Sequence, residues 1–272
     1  MADFLYCLNT STIRPASLPE KIRAAGEAGY SAIELWHDDV DAYLAQGGSI
    51  ADLRKMLADW ALSVPSMIYL AGWFETTGEE HRQKLVECRR RMDQAAELGA
   101  PICVAGPPGG KADLALGTQN YRELLEIGRA AGVRPAVEFL GFVEEFNRVE
   151  PCVQLARDTG DPDACVVIDP FHLFRGGSGI EAMASLNLAP HEIGILHFND
   201  APSHPPREQQ HDPDRVLPGD GCLDLRRYVQ IARVIGYRGA LSLELFNEEL
   251  WRLNPLEVAR LGLSKMRAVV EG

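Results

Sequence analysis

The chain has 272 residues, and its content of 46% hydrophobic and 24% charged residues is typical of a globular protein with a substantial core. A net charge of −12, from 27 basic and 39 acidic residues, argues against nucleic acid as a partner. Six cysteines without a C-x-x-C pair argue against zinc ribbons and thioredoxin-type redox chemistry. Because the sequence shows neither a signal peptide nor an apolar segment of transmembrane length, we expect a cytoplasmic protein without membrane association.

Apolar runs alternate with amphipathic stretches along the chain. The runs predict eight strands, at residues 4–8, 31–36, 63–69, 101–106, 134–140, 164–169, 193–200 and 240–245. The stretches predict helices at about 18–28, 50–61, 79–98, 119–131, 147–158, 179–187, 224–235 and 255–270. Eight such units indicate an α/β protein that forms a single (β/α)8 TIM barrel over residues 1–272. A doubly wound open sheet is the rival architecture, but it would usually have a glycine-rich first crossover, which this sequence lacks.

The longest irregular segment covers about residues 201–224. It follows the seventh predicted strand, on the barrel face where active sites lie, so we interpret it as a lid or substrate loop. Arg215 lies in this segment, just before the turn formed by residues 218–221. An arginine at such a place is usually solvated, but in a lid it can hold a hydroxyl or carbonyl oxygen of a substrate.

Four residues with metal-ligating side chains stand near the ends of the last four predicted strands: Glu138, Asp169, His197 and Glu244. A carboxylate that ends an apolar strand is costly to desolvate, which suggests a function for it there. Each acid alone would more often be a helix cap or a salt-bridge partner, and His197 alone would equally be a core histidine. The last four strands of a barrel are neighbours, so their side chains are predicted to converge. Together they predict a site for one divalent cation, with Mn²⁺, Mg²⁺ or Co²⁺ favoured by the oxygen-rich ligands and Zn²⁺ also compatible.

Further polar and aromatic residues are predicted to lie beside this site. His172, three residues after Asp169, could face a substrate oxygen or be a solvated loop histidine. Another set follows the second and third strands and could wall an apolar side of the pocket, although packing in the core is its commoner role: Trp36, His37, Trp73 and Phe74. The residues themselves therefore offer His172 and Arg215 as candidates for substrate binding.

Five segments of the C-terminal half carry a resemblance to a known family: AVEFLGF (136–142), VVIDPFHLFRGGSGIEAM (166–183), ILHFNDAP (195–202), DRVLPGDGCLDL (214–225) and LSLELFNEELWRL (241–253). They resemble the xylose-isomerase-like TIM barrel superfamily of sugar isomerases and epimerases, and are most similar to its 2-keto-myo-inositol isomerase branch. The N-terminal half is similar mainly in architecture, with CLNT (7–10) and GYSAIELW (29–36) as its matching segments. The metal motif is specific for the superfamily, whereas the substrate is less so, because dehydratases share the scaffold.

The resemblance implies a role for each candidate residue. It implies metal ligation by Glu138, Asp169, His197 and Glu244. It also implies that Glu138 and Glu244 act as the acid/base pair and that His172 and Arg215 hold the substrate. The implied activity is metal-dependent isomerisation or epimerisation of a keto-polyol, an inosose or a ketose, by proton transfer through an enediolate. The implied partner is a small polyhydroxylated carbonyl compound, and a homo-oligomer is left open.

Three other functions stay open at this point. A dehydratase of 3-dehydroshikimate or an inosose would use the same enolate and then expel a β-hydroxyl group. A hydrolase similar to AP endonucleases of the endonuclease IV type is remote, since it needs a multi-zinc cluster, more than the seven histidines present, and a basic DNA-binding face. A non-catalytic sugar-binding protein is disfavoured by the glutamates at both acid/base positions.

Overall fold

Eight parallel strands close into a barrel in the computed structural model, which describes residues 4–272. The strands are β1 (Leu5–Asn9), β2 (Ala32–Trp36), β3 (Met67–Leu70), β4 (Ile102–Ala105), β5 (Arg134–Val137), β6 (Cys165–Ile168), β7 (Ile193–Phe198) and β8 (Ala240–Leu243). Each strand pairs with the next along the chain, and β8 closes the barrel on β1 through pairs such as Cys7 with Ser242. The predicted (β/α)8 fold is confirmed.

Helices connect the strands and cover the outside of the barrel. They are α1 (Leu18–Ala28), α2 (His37–Ala45), α3 (Ile50–Asp59), α4 (Gly78–Glu97), α5 (Leu114–Ala131), α6 (Val149–Asp158), α7 (Pro170–Arg175), α8 (Glu181–Ser185), α9 (Leu225–Ile235), α10 (Glu248–Trp251) and α11 (Pro255–Glu271). The start of α11 shows why the ends lie where they do. The side chain of Asn254 accepts hydrogen bonds from the N–H groups of Leu256 and Glu257, and Pro255 takes the first helical position. Between residues 4 and 272, no helix is both long and apolar enough to cross a membrane.

Apolar side chains fill two regions, one between the strands and the helices and one inside the barrel. Every strand contributes to the inner region, through Cys7, Ala32, Ile68, Ile102, Val104, Ala136, Cys165, Val167, Ile195 and Ala240. These are small or branched side chains, which suit a narrow interior. Five of the six cysteines are buried, Cys222 is exposed, and none forms a disulfide. Because apolar side chains fill the barrel interior, a bound molecule can reach polar side chains only at the ends of the strands.

Three short helices were not predicted from the sequence, namely α2, α7 and α10. Each begins within five residues of a strand end, and α2 begins directly after Trp36. A helix of one or two turns is too short for the 3.6-residue period to stand out from the preceding strand. Strands β5, β6 and β8 also end earlier than predicted, each of them immediately before an acidic residue.

A buried carboxylate organises the long segment after β7. The side chain of Asp200 accepts hydrogen bonds from the backbone N–H groups of Gly219, Gly221 and Leu223, at 3.0 to 3.1 Å. The backbone of Asp200 also pairs with that of Val216. These bonds turn the segment back towards the barrel, so that its residue Arg215 is carried to the open end of the strands.

Candidate metal centre

The four predicted ligand side chains converge at the open end of the barrel. Glu138, Asp169 and Glu244 directly follow β5, β6 and β8, and His197 lies within β7. All four are buried, and one possible ligand atom from each lies within 4.8 Å of the other three. Because the carboxyl ends of neighbouring parallel strands meet at one edge, side chains far apart in sequence are brought to one point.

His197 faces the three carboxylates with its Nδ1 atom. This nitrogen lies 3.2 Å from Glu138 Oε1, 3.3 Å from Asp169 Oδ2 and 3.1 Å from Glu244 Oε2. Neither His197 Nδ1 nor Glu138 Oε1 has a hydrogen-bond partner within the described residues, although both atoms are buried. Buried polar atoms almost always have a partner. Three carboxylate oxygens and an imidazole nitrogen form a donor set that fits a divalent cation, which would supply the missing partner.

Asp169 has both a structural role and a place in the site. Its Oδ1 atom accepts a hydrogen bond from the N–H of His172 and caps α7. Its Oδ2 atom faces the cluster and accepts hydrogen bonds from Asn199 Nδ2 at 2.9 Å and from Arg215 Nη1 at 2.9 Å. The commoner interpretation of a strand-end acid, a helix N-cap, is therefore correct for one oxygen and incomplete for the other.

Arg215 reaches the centre from the long segment and is only 1% exposed. Its Nη1 atom donates to Asp169 and, at 2.7 Å, to Glu244 Oε2. Its Nη2 atom donates to Asp212 Oδ1 at 2.6 Å and lies 3.0 Å from His172 Nε2. The planar guanidinium also lies over the ring of Phe171, 4.9 Å from its centroid. The arginine is thus held in one orientation, in contact with two of the four predicted ligands.

His172 lies between the arginine and a backbone donor. Its Nε2 atom faces Arg215, and its Nδ1 atom lies 3.2 Å from the N–H of Gly141. Burial lowers the pKa of His172 to about 4, so the ring is neutral near pH 7. A neutral imidazole has a lone pair on only one nitrogen, whereas both of these neighbours are donors. One of the two contacts is therefore not a hydrogen bond. The ring nitrogen in that contact carries a proton, and this N–H needs a hydrogen-bond acceptor.

The charges of the cluster act on one another strongly. Burial raises the pKa of Glu138 to about 7; Glu244 and Asp169 add to the rise, and His197 opposes it. Burial also works against ionisation of Asp169, yet Arg215 and the two neighbouring imidazoles hold its pKa well below the usual range. The surrounding carboxylates raise the pKa of His197 well above its ordinary value despite burial. Without a metal ion, protons on Glu138 and His197 therefore offset part of the negative charge near neutral pH.

A cavity of about 610 Å³ opens above the centre. Glu138 and Glu244 line it together with His172 and Arg215, whereas Asp169 and His197 do not reach its wall. Aromatic side chains form much of the remaining wall: Trp36, Tyr69, Phe246 and Trp251. The two glutamates are thus the predicted ligands that a bound molecule would meet directly.

Only one of the four residues suggested as an apolar wall lies at the cavity. Trp36 does so, but the interpretation of His37, Trp73 and Phe74 as wall residues is wrong. All three are completely buried in the core. Trp73 packs against Phe74 and Tyr121, with ring centroids 5.2 and 5.6 Å away, and His37 Nδ1 lies 2.6 Å from the side-chain oxygen of Gln94. Tyr121 belongs to α5 and Gln94 to α4, so Trp73 and His37 face the helices instead of the cavity.

Three buried polar residues that sequence reasoning missed support the centre. Asn199 donates to Asp169, as described above. Asn9, at the end of β1, donates from Nδ2 to Glu244 Oε1 at 3.1 Å and to Glu34 Oε2 at 2.7 Å. Glu34 is a completely buried acid inside β2. The signal that selected the three acidic ligands, an acid in an apolar strand, was also present for Glu34 in the run SAIELW. The two asparagines gave no comparable signal.

Comparison with known proteins places the chain in a family. The family of xylose isomerase-like TIM barrels matches residues 22–269. The chain belongs to this family. This chain is similar to the inosose isomerase of Bacillus velezensis. The two sequences are 26% identical over 273 residues, which cover 97% of this chain and 96% of that protein. The 3-dehydroshikimate dehydratase of Pseudomonas aeruginosa is 27% identical over 236 residues, covering 85% of this chain but only 36% of that protein.

A solved structure is also similar over nearly the whole barrel. The crystal structure of the IOLI protein with a bound zinc atom matches with a TM-score of 0.90 and 25% sequence identity, over 98% of each chain. The predicted resemblance to the xylose isomerase-like family is therefore confirmed by sequence and by fold.

Proposed function

We propose that the chain is a divalent-metal-dependent isomerase or epimerase of a keto-polyol, an inosose or a ketose. One observation carries this proposal: Glu138 and Glu244 face a single cavity from different strands, with ligand atoms within 4.8 Å of those of Asp169 and His197. The similarity to inosose isomerases supports the class of substrate. A cavity with two carboxylates and an aromatic wall suits a small molecule that carries hydroxyl groups on an apolar ring or chain.

The metal ion would be held by Glu138, Asp169, His197 and Glu244. With Glu34 included, four buried carboxylates lie in this region, and Arg215 donates to two of them, Asp169 and Glu244; this concentration of negative charge favours a divalent cation. When bound, such an ion polarises a carbonyl group and makes the neighbouring C–H more acidic. Oxygen-rich ligation favours Mn²⁺, Mg²⁺ or Co²⁺, while the zinc in the similar IOLI structure supports Zn²⁺ as a further candidate.

The two glutamates supply the proton transfer. One carboxylate removes the proton from the carbon beside the substrate carbonyl, and the other returns a proton to the same or the neighbouring carbon. Glu138 and Glu244 come from β5 and β8, which are not adjacent, so they can approach a substrate from different sides. That placement suits epimerisation, which needs removal and return of the proton on opposite faces.

His172 and Arg215 position the substrate. The neutral ring of His172 contacts two donors and can accept from only one, so a substrate hydroxyl whose oxygen accepts from the ring N–H or from Arg215 improves on the present contacts. The contacts of Arg215 with Asp169, Glu244 and Asp212 keep the guanidinium in place. The aromatic wall excludes water from the reacting carbon and protects the enediolate.

A dehydratase of 3-dehydroshikimate or an inosose is the second candidate. The similarity to a 3-dehydroshikimate dehydratase supports it. So does Arg14, whose guanidinium lies 5.6 Å from the ring of Trp36 at the cavity wall, where it could meet a substrate carboxylate. The first chemical step would be the same proton removal, and the second would be loss of a hydroxyl group.

Product analysis in D₂O separates these functions. The metal-loaded protein would be incubated with a panel of inososes, ketohexoses and 3-dehydroshikimate. An isomerase or epimerase incorporates deuterium beside the carbonyl and gives a product of unchanged composition, whereas a dehydratase gives an absorbing conjugated carbonyl compound. Turnover of none of these substrates, with no deuterium exchange, would contradict both proposals.

A further inference from the structure

A fourth buried acidic side chain, Glu34, lies beneath the candidate metal centre. It is completely buried in β2 and is not one of the four predicted ligands. Its Oε2 atom accepts hydrogen bonds from Asn9 Nδ2 at 2.7 Å and from Ser242 Oγ at 2.6 Å, and its Oε1 atom accepts one from Ser66 Oγ. A buried charge that is surrounded by neutral donors in this way is costly and needs a reason beyond packing.

The contacts of the Asn9 side chain show which of its two amide atoms faces Glu34. The side-chain oxygen of Asn9 accepts from the N–H of Ser11 at 2.9 Å and from Trp36 Nε1 at 3.0 Å. Its amide nitrogen must therefore point the other way, to Glu34 and Glu244. The carboxylate of Glu34 is thus held in place from β1, from β8 and from the residue before β3.

His197 connects Glu34 to the centre. Its Nδ1 atom faces the three carboxylates of the cluster, and its Nε2 atom lies 3.5 Å from Glu34 Oε2. Neither nitrogen has a hydrogen-bond partner in the described part of the chain, so the contact with Glu34 is an ion-pair contact at the limit of hydrogen-bond distance. To bind a cation through Nδ1, the ring must be neutral and must carry its single proton on Nε2, where Glu34 is the acceptor that faces it.

We infer that Glu34 is a positioning residue for metal binding: it keeps the proton of His197 on Nε2 and so directs the lone pair of Nδ1 into the centre. Metal-binding histidines commonly donate their second N–H to a carboxylate, which orients the ring and makes it a stronger ligand. This inference rests on the proposed metal centre. Glu34 itself does not line the cavity.

A purely structural role makes a different prediction. The contacts of Glu34 with Asn9, Ser66 and Ser242 also connect strands β1, β2 and β8, so its loss could lower stability alone. In that case metal affinity and the state of the His197 ring would not change. The two roles are therefore distinguished by measuring the metal and the imidazole separately from the fold.

Titration of the full-length, metal-free protein with Mn²⁺ tests the inference. Glu34→Gln keeps the size of the side chain and removes its charge, and we expect Mn²⁺ to bind about 10- to 100-fold more weakly. Ser66→Ala is the matched control, because it removes a donor from the Oε1 atom and leaves the charge and the Oε2 atom next to His197. We expect the control to bind Mn²⁺ as the unmodified protein does, even if its unfolding temperature falls.

NMR of the zinc-loaded protein with ¹⁵N-labelled histidine supplies a second readout. We expect His197 to be protonated on Nε2, with a deshielded N–H signal that moves upfield in Glu34→Gln. If Glu34→Gln does not fold, Glu34→Asp keeps the charge but draws it away from Nε2, and we expect weaker Mn²⁺ binding in that variant too.

The outcomes separate this inference from the proposed function. Failure of the unmodified protein to bind Mn²⁺ or Zn²⁺ would overturn the metal centre itself. Equal Mn²⁺ affinity of the unmodified protein and the Glu34 variants, or a proton on Nδ1 in the zinc-loaded protein, would overturn the role of Glu34 while leaving the centre intact.

Discussion

The two halves of the barrel contribute different things to the same cavity. Strands β5 to β8 carry all four predicted ligands. Strands β1 to β4 carry no predicted ligand; they supply Glu34 and Asn9 beneath the centre, and Trp36 and Tyr69 in the cavity wall. The proposed ligands and acid/base groups therefore come from the second half of the barrel, whereas both halves contribute to the cavity wall, since Phe246 and Trp251 follow β8. The first half adds the residues that support the centre from below.

Removing a carboxylate from the second half should have the largest effect. In Glu138→Gln and Glu244→Gln we expect kcat to fall by about 10²- to 10⁴-fold, because each change removes a proton-transfer group and a charged ligand. Steady-state kinetics with the substrate found in the panel, together with the metal content of each variant, measure this. Glu97→Gln, at an exposed position of α4, is the control and should keep full activity. Near-full activity of both cavity variants would show that the acid/base pair lies elsewhere.

Replacing each of two tryptophans in the first half with alanine should have opposite effects, one on stability and the other on substrate binding. Trp73 is completely buried, so Trp73→Ala should lower the free energy of unfolding by about 3–5 kcal/mol, with KM unchanged. Trp36 lies in the cavity wall and is only partly buried, so Trp36→Ala should raise KM and cost less stability. Denaturant unfolding and steady-state kinetics of the two variants make the comparison. A rise in KM for Trp73→Ala without a change for Trp36→Ala would reverse the interpretation of the wall.

These tryptophans also show how far the sequence could predict the structure. Apolar runs and their spacing were enough for the barrel, and barrel order was enough for the convergence of Glu138 and Glu244, because strand neighbours follow from the fold. The direction of a ring after a strand depends on the turn that follows, and a single sequence does not reveal that turn. Trp36 and Trp73 therefore looked alike. The hydrogen bonds from Asn9 to Glu34 and Glu244 could not be predicted for a related reason, since an asparagine at a strand end is also an ordinary turn residue.

Arg215 connects the long segment to the candidate metal centre, and Arg215→Lys tests this connection. A lysine keeps the charge but cannot reproduce the forked contacts with Asp169, Glu244 and Asp212. We expect kcat/KM to fall about 10- to 100-fold, as for the loss of a hydrogen bond to a charged group. Arg82→Lys, an exposed change on α4, should have no effect. If Arg215→Lys lowers Mn²⁺ affinity and leaves kcat/KM of the metal-saturated protein unchanged, its role is to hold the ligands and not the substrate.

The pH dependence of metal affinity gives the finest test of the second half. Protons and the cation compete for the same ligand atoms. The pKa of Glu138 is raised to about 7 and that of His197 well above its ordinary value, so both groups hold protons that a cation must displace below neutral pH. Above about pH 7 only the proton of His197 remains to be displaced. We therefore expect Mn²⁺ affinity to rise with pH, about tenfold per unit for each proton displaced, and to change more steeply below pH 7 than above it.

Titrations from about pH 6 to about pH 8 measure this slope. In Glu138→Gln the first of the two protons is absent, so the weaker binding of that variant should follow the shallow slope over the whole range. An affinity that does not change with pH would mean that the cation does not compete for His197 and Glu138. A slope that steepens equally in both proteins would assign the second proton to another group. The shared titration of Glu138 and His197 thus couples β5 and β7, two strands of the same half of the barrel that are separated by β6.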